Sequence, residues 1–435
     1  MFLAILCVSI LARAGQEASF RSLQSVQIEN SLLWGTFGDA LGAPIEFAGE
    51  IGKILQTPGF EKDFLIDNFK SVINYSKIYY SNRFEYVPYT DDTRMTLLVF
   101  QELLKIYNNL EVHKFLSNTG DTAVLFRVAM AFKKDFKDMM YGWAAAYRAP
   151  GVSTMNAISA LPKNPKTVQE ILLPRLTFED PGNDRVGGGC GSVMHAAPFG
   201  YFPDFWKYSG EHSKITHNHP IAIASCASLA RGIDLMINQK GWKKDDIIQE
   251  MIKVADEFER TSILQDDIEN NRYTFRMRTI LETALNAAKE MAATRETFAK
   301  KQSSNPFLIP FHDLMQDDTF KKEHIKMFPK AVSSDYAYDT PEFIGWDAAT
   351  CLAAAMYNFC LWIPENINDL DEQERMRCLT NAITSAMIIG GDSDSVTSIT
   401  GQLCGAYVSK LTIASSLKGI IEGSDVICAY AQNIK

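Results

Sequence analysis

Segments with helical hydrophobic periodicity dominate this chain of 435 residues, and the alternating patterns typical of strands are hard to find. Most segments keep polar residues on one stripe, whereas residues 346–362 are Ala-rich and almost entirely apolar, which predicts a buried central helix. The pattern predicts helices over residues 93–107, 122–147, 245–260, 279–299, 346–362, 370–389 and 395–411.

No linker rich in Pro, Gly or Ser and no solenoid repeat divides the sequence, and its 46% of hydrophobic residues supply a large core. We therefore predict an all-α fold in one compact domain over about residues 25–433. The least helical part, residues 148–203, contains several prolines and a Gly-rich run at 187–191, which predicts a long functional loop or a flexible connector. Residues 238–338 match no motif and could form a lid, a partner surface or additional core.

The N-terminus has the pattern of a secretory signal peptide over residues 1–14, with an apolar run followed by Ala12-Arg13-Ala14. No Lys or Arg precedes the run, so a short apolar extension on a cytoplasmic protein is the alternative. The run is too short to span a bilayer, and no later segment is predicted to span one. We expect a protein of the secretory pathway.

The net charge of −9 excludes non-specific attraction to nucleic acid or to an anionic membrane. An anionic substrate would have to be held locally, by metal ions or by backbone N–H groups. The eight cysteines include no CxxC pair, so neither a zinc site nor a redox motif is indicated.

Two clusters of aspartates lie roughly three hundred residues apart, and each begins a predicted helix. Crowded carboxylates repel one another unless a cation neutralises them, and all-oxygen ligands suit Mg²⁺ or Mn²⁺ rather than zinc. If the fold brings the clusters together, they form a site for two metal ions; the alternative is two capped helix starts. The candidate ligands are Thr90, Asp91, Asp92, Asp392, Asp394 and Ser395.

Three further features are candidates for the same site. Glu46 follows Gly38-Asp39-Ala40-Leu41-Gly42 and could bind a metal or act as a base, although taken alone it is a surface residue. The Gly-rich run lets backbone N–H groups approach a ligand closely. His217 is expected to form hydrogen bonds near the ligand, whereas His219, before a proline, is expected to be structural.

Together these motifs resemble the ADP-ribosylglycohydrolase family, which includes ADP-ribosylarginine hydrolases and dinitrogenase reductase-activating glycohydrolases. The resemblance implies an all-α fold, two Mg²⁺ or Mn²⁺ ions held by the six candidate ligands, and Glu46 as a mobile glutamate beside them. It also implies that the residues Gly188, Gly189, Gly191, Ser192, Met194 and His217 bind ADP-ribose. His195 stands where an arginine usually follows the methionine.

The implied activity is metal-dependent cleavage of the N-glycosidic bond in ADP-ribosyl-arginine, with Asp91 or Asp92 orienting or deprotonating a water and Glu46 assisting. Asp394-Ser395 and Arg148-Ala149-Pro150-Gly151 are similar to the mammalian-type arginine hydrolases, whereas Glu46 is similar to the serine-directed members. The alternatives are hydrolysis of ADP-ribosyl-serine, poly(ADP-ribose) or O-acetyl-ADP-ribose, an inactive ADP-ribose-binding homologue, and a two-metal phosphatase or nuclease on an unrelated fold.

Overall fold

The computed structural model describes residues 23–46, 86–109, 122–141, 148–174, 187–270, 272–302, 304–322, 345–388, 391–412 and 421–432, together with residues 324, 419 and 434. Within these residues the regular structure is helical, and the only strand-like pairings are two isolated bridges, Val87 with Ile421 and Gly189 with Asp347. The all-α prediction is confirmed. The predicted signal peptide lies outside the described residues.

The longer helices of the described chain are α1 (23–42), α2 (Asp91–Tyr107), α3 (Thr122–Tyr141), α4 (Val152–Ala160), α5 (Pro220–Asn238), α6 (Lys244–Thr261), α7 (Met277–Gln302), α8 (Ala348–Trp362), α9 (Glu372–Met387), α10 (Ser393–Tyr407) and α11 (Ser424–Gln432). Shorter helical segments are Ala43–Ile45, Val168–Glu170, Cys190–Ser192, Pro198–Tyr201, Phe205–Tyr208, Ser209–Ser213, Gln265–Glu269, Phe311–Gln316 and Ile367–Asp369.

Helix α5 lies at the centre of the molecule and was not predicted. Its length and composition would suit a membrane span, but 89% of its apolar window is buried inside the protein. A helix that is buried on all sides carries no polar stripe, so the amphipathic signal is missing. Helix α8, which was predicted as central, is buried along almost its whole length.

The region between residues 238 and 338 contributes to the core in its described part. Helix α6 packs against α5, and α7 packs against α8. Ile248, Met251 and Leu281 are buried at these contacts. Of the three alternatives that the sequence left open for this part of the chain, a lid, a partner surface or additional core, the two helices therefore form additional core.

Two predicted boundaries need correction. The segment 148–203 is not one long loop, because Val152–Ala160 forms helix α4 and Pro198–Tyr201 forms a further helical turn. Helix α10 runs over Ser393–Tyr407 rather than 395–411; its C-cap Val408 has extended backbone, and its N–H donates back to Gly405. Short helices between prolines give too few turns for a periodic signal.

Helices α1 and α10 are in backbone contact. A Cβ atom on Gly401 would lie 2.1 Å from the carbonyl oxygen of Trp34, and one on Gly42 would lie 2.4 Å from that of Ser393. Only glycine permits such an approach. The hydroxyl of Ser393 donates to the Gly42 carbonyl at 2.9 Å, so the start of α10 is fixed against the end of α1.

Candidate metal centre

The first aspartate cluster forms the N-terminus of helix α2. Thr90 caps the helix, and its Oγ1 accepts a hydrogen bond from the Asp92 N–H at 3.3 Å. Asp39, on α1, accepts hydrogen bonds from the N–H groups of Thr90 and Thr93, each at 3.0 Å. Because Asp39 and Thr90 supply the acceptors that cap the helix, the carboxylates of Asp91 and Asp92 are not needed for capping. Both residues are nevertheless buried.

The second cluster forms the N-terminus of helix α10. Asp392 is the N-cap residue, and its Oδ1 accepts from the Ser395 N–H at 3.4 Å. The same N–H donates to Oδ1 of Asp394 at 2.8 Å. All three residues are buried, which is unusual for the two carboxylates, since neither forms a salt bridge with a basic side chain among the described residues.

The fold brings the two clusters into contact. The hydroxyl of Ser395 donates to Oδ2 of Asp92 at 3.3 Å, across more than three hundred residues of sequence. Glu46, just beyond α1, joins them, because carboxylate oxygens of Glu46, Asp392 and Asp394 lie within 4.8 Å of one another. The juxtaposition expected from the sequence is therefore present, with Glu46 as part of it.

Burial and mutual repulsion disfavour the charged forms of these carboxyl groups. Burial, followed by the charges of neighbouring aspartates, raises the pKa of Asp91 and that of Glu46 to about 8. Burial is also the first cause that raises the pKa values of Asp92 and Asp394 well above the usual range, and nearby carboxylates add to it. Such a cluster needs a cation to hold it in the ionised form.

The residues present fit divalent metal ions. The donors are carboxylate and hydroxyl oxygens, which hard ions such as Mg²⁺ and Mn²⁺ prefer. Oδ1 of Asp92 is buried and has no hydrogen-bond partner within the described residues. A buried carboxylate oxygen without a donor is costly unless a ligand satisfies it, and a metal ion at this position would do so.

The Gly-rich run lies beside the metal centre. The Gly188 carbonyl accepts from the N–H of Ala348 at 2.9 Å, and the N–H of Cys190 donates to the Trp346 carbonyl at 3.1 Å, so the run is anchored to the start of α8. A Cβ atom on Gly191 would lie 2.8 Å from Cε1 of His217, so this glycine lets the backbone pack directly against the imidazole.

His217 is a neutral hydrogen-bonding residue in this position. Burial lowers the pKa of its imidazole to about 4, so it carries no charge at neutral pH. Its Nδ1 lies 3.0 Å from the hydroxyl of Thr216. Its Nε2 would lie 3.3 Å from a Cβ atom on Gly189, so Nε2 is the ring nitrogen that can contact a ligand at the glycine run.

Two predicted ligand-binding residues point into the protein. Ser192 is fully buried, and its hydroxyl lies 2.9 Å from that of Ser213. The carbonyl of Met194 accepts from Thr96 at 3.0 Å and from Gln402 at 2.9 Å, so it ties α2 to α10. Each of the two residues can therefore contact a ligand through its backbone but not through a free side chain.

His195, which stands where the family resemblance leads us to expect an arginine, is also buried in the interior. Its ring packs edge-on against His212 at 4.8 Å and against Phe132 at 5.2 Å. Burial lowers the pKa of His195 well below the usual value, so the imidazole is neutral. It cannot provide the positive charge that an arginine would bring.

Sequence inspection missed two residues at the centre. Asp39 was recognised only as part of a motif, and nothing in the pattern indicates that it would hold the start of α2. Cys190 was taken as part of the glycine run, yet its thiol donates to Oδ2 of Asp392 at 2.8 Å. A contact between residues so distant in sequence has no local signal.

Comparison with known proteins identifies the class. Residues 26–434 match the family model described as ADP-ribosylglycohydrolase, so the chain belongs to the ADP-ribosylglycohydrolase family. This is a family of metal-dependent hydrolases that act on glycosidic bonds of ADP-ribosylated substrates.

The other comparisons add little. None of the curated proteins matches the chain. A solved structure described as an ADP-ribosylglycohydrolase-related protein complex is similar at 16% sequence identity with a TM-score of 0.45, over 94% of this chain and 98% of that chain.

Proposed function

We propose that this protein is a metal-dependent glycohydrolase that cleaves the N-glycosidic bond of ADP-ribosyl-arginine in modified proteins and releases ADP-ribose. The observation that carries the proposal is the contact between the two aspartate clusters, from Ser395 to Asp92 at 3.3 Å. An inactive ADP-ribose-binding homologue would have no need to retain four converging aspartates in a buried centre.

The metal ligands are proposed to be the six residues of the two clusters, with Glu46 beside them: Thr90, Asp91, Asp92, Asp392, Asp394 and Ser395. Two Mg²⁺ or Mn²⁺ ions bound there would neutralise the carboxylates, hold ribose hydroxyls and make a water more acidic. Because the carboxylates are held by helix starts on a rigid core, little reorganisation is needed on binding.

The remaining chemistry falls to the chain itself. Cleavage of a glycosidic bond passes through an oxocarbenium-like state and requires a nucleophilic water and a proton for the departing guanidine nitrogen. Asp91 or Asp92 is proposed to orient that water and to take its proton. Backbone N–H groups of residues 188–192 are proposed to bind the diphosphate, and the neutral imidazole of His217 to form a hydrogen bond to the ligand.

Two features near Asp91 favour a bulky acceptor such as arginine. The N–H of Gly151 interacts with the Asp91 carboxylate, and no atom of the described residues lies within 4 Å of where a Cβ on Gly151 would be, which leaves room beside the carboxylate. Arg148 is held elsewhere, since its Nη2 donates to Glu422 at 2.6 Å. The space is therefore free of a competing cation from Arg148.

The test is hydrolysis by purified protein of a panel of ADP-ribosylated carriers, linked through arginine or serine, with poly(ADP-ribose) and O-acetyl-ADP-ribose included. We expect release of ADP-ribose from the arginine-linked carrier, loss of activity with a chelator, and recovery with Mg²⁺ or Mn²⁺. Preferential cleavage of another linkage would correct the substrate. No cleavage of any member with either metal would contradict the proposal.

We also propose that the protein enters the secretory pathway, on the basis of residues 1–14. Expression in a secreting host followed by mass spectrometry of the N-terminus tests this. Cleavage after Ala14 is expected, and an uncleaved protein retained in the cytoplasm would contradict it.

A further inference from the structure

The thiol of Cys190 lies among the oxygen donors of the centre and contacts the buried thiol of Cys351. Sγ of Cys190 is 2.8 Å from Oδ2 of Asp392 and 3.8 Å from the hydroxyl of Ser395. Cys190 is 9% exposed, and it follows a glycine that is paired with Asp347 at the start of α8. The sulfur is thus fixed against two of the proposed metal ligands rather than placed there by a flexible loop.

A second observation, on Asp92, points to ligand binding at this part of the centre. Oδ1 of Asp92 is buried without a hydrogen-bond partner in the described chain, while its Oδ2 accepts from the same Ser395 hydroxyl that neighbours Cys190. The unsatisfied oxygen, the shared hydroxyl, the Asp392 carboxylate and the thiol therefore form one continuous set of donors.

The chemistry of this set is mixed. Carboxylates and hydroxyls select Mg²⁺ and Mn²⁺, whereas a thiolate selects softer ions such as Zn²⁺ and Cd²⁺. Cys190 has no role in binding Mg²⁺, because a neutral thiol is a poor ligand for a hard ion. Its sulfur can instead bind a thiophilic ion beside Asp392, the residue that is proposed to bind the hard ions.

We propose that Cys190 and Asp392 together bind a thiophilic divalent cation, Cd²⁺ or Zn²⁺, in competition with Mg²⁺ or Mn²⁺ at the same centre. On binding, the S–H bond of Cys190 is broken, a sulfur–metal bond forms and the proton leaves to solvent. The Asp392 carboxylate is then shared with the soft ion, so the hard-metal site is disrupted. This inference rests on the metal centre of the proposed function.

The experiment is a titration of metal-free full-length protein with Cd²⁺, followed by the ultraviolet charge-transfer absorption of the cadmium–sulfur bond. The wild type is compared with Cys190→Ser and Cys190→Ala. The matched control is Cys226→Ser, because Cys226 is also buried but its thiol neighbours the Ser192 hydroxyl at 3.4 Å rather than a metal-centre carboxylate.

We expect the wild type and Cys226→Ser to bind one equivalent of Cd²⁺ with this absorption, and excess Mn²⁺ to displace it. Both Cys190 variants should lose the absorption and bind Cd²⁺ at least about tenfold more weakly, in line with changes at other metal sites. Thermal unfolding of each variant shows that it is folded, and the two substitutions guard against failure of either one.

Three results would overturn the inference: no cadmium–sulfur absorption in the wild type, the same absorption in both Cys190 variants, or absorption that Mn²⁺ does not displace. Each can occur while Mg²⁺-dependent hydrolysis is intact. Conversely, a protein that binds Cd²⁺ through Cys190 but cleaves no ADP-ribosylated carrier would contradict the proposed activity and leave the Cys190 site standing.

Discussion

At the scale of single residues, each aspartate cluster contains a residue that caps a helix and carboxylates that capping does not require. Thr90 and Asp392 cap α2 and α10, as the simpler interpretation of the sequence expects. Asp91, Asp92 and Asp394 are additional to capping, and burial penalises their charges. The capping interpretation is therefore confirmed for Thr90 and Asp392, whereas metal binding by the two clusters stays a prediction.

The metal-free protein should lose stability as pH rises. Burial and neighbouring carboxylates raise the pKa of Asp91 from 3.8 and that of Glu46 from 4.5 to about 8 in the folded chain. Between these values the folded chain binds more protons than the unfolded chain, so the free energy of unfolding falls with increasing pH. We expect the Tm in chelator to be lower at pH about 8 than at about 5.5.

Added Mg²⁺ should reverse this loss, because metal binding requires the ionised carboxylates and stabilises the folded state. Thermal unfolding at both pH values, with chelator or with excess Mg²⁺, measures the effect. The increase in Tm should be larger at the higher pH. A metal-free Tm that does not fall across this range, or an equal Mg²⁺ effect at both values, would refute the electrostatic description.

Asp394→Asn should separate stability from function. The amide cannot ionise, so it removes repulsion from Glu46 and Asp392 and should raise the Tm of the metal-free protein at pH about 8. Turnover should fall by about 1,000-fold or more, equal to about 4 kcal/mol of transition-state stabilisation. Calorimetric Mn²⁺ titration and hydrolysis of the arginine-linked carrier measure the two effects.

The control for this substitution is Asp425→Asn, in the first turn of α11, where the aspartate is exposed. It should change neither metal binding nor turnover. If Asp394→Asn retained wild-type turnover that a chelator still abolishes, Asp394 would not be a ligand.

At the scale of secondary-structure elements, the contact between α1 and α10 positions the second cluster. Gly401→Ala should destabilise the protein, because the added methyl meets the Trp34 carbonyl. Overpacking of this kind costs about 1–3 kcal/mol, which exceeds the gain in helix propensity. Denaturant unfolding measures the change.

Gly419→Ala is the control, since no atom in the described part of the chain lies within 4 Å of its Cβ position. It should leave the free energy of unfolding within about 0.5 kcal/mol of the wild type. Equal stability of Gly401→Ala and the wild type would mean that α1 and α10 can separate without cost.

Asp39 connects α1 to the first cluster, and its removal should affect the metal as well as the fold. Asp39→Ala leaves the buried N–H groups of Thr90 and Thr93 without their acceptor, at a cost of about 1–3 kcal/mol. Because the start of α2 then shifts, Mn²⁺ affinity should fall by about 10–100-fold. Calorimetric titration of the folded variant measures this.

Asp371→Ala is the comparison, because Asp371 caps α9 in an exposed capping box, where it accepts from the Glu374 N–H at 2.8 Å. It should cost about 1 kcal/mol of stability without changing Mn²⁺ affinity. If Asp39→Ala also left the affinity unchanged, its role would be limited to stability.

Most of the elements that the sequence predicts well have a polar stripe. Helix α6 was expected over 245–260 and spans Lys244–Thr261. Helix α5, which is buried on almost every side, was missed although the equally buried α8 was predicted from its Ala-rich apolar run. Helix α4 was missed because nine residues between prolines carry no clear period. An amphipathic pattern identifies a helix that lies at the surface of the core, but it does not identify a helix that is buried inside the core.

At the scale of the whole molecule, the centre joins the two ends of the described chain. Helices α1 and α2 supply Asp39, Asp91 and Asp92, and α10 supplies Asp392 and Asp394, while the intervening helices form the core that holds them in place. The composition of the site could be inferred from crowded carboxylates. The place of Cys190 beside Asp392 could not, because it depends on how distant helices pack.

The most direct test of this account is an anomalous difference map from crystals of the protein soaked with Mn²⁺. We predict density coordinated jointly by carboxylates of the first cluster, Asp91 and Asp92, and of the second, Asp392 and Asp394. Mn²⁺ bound by one cluster alone, or no Mn²⁺ at either cluster at saturating concentration, would contradict it.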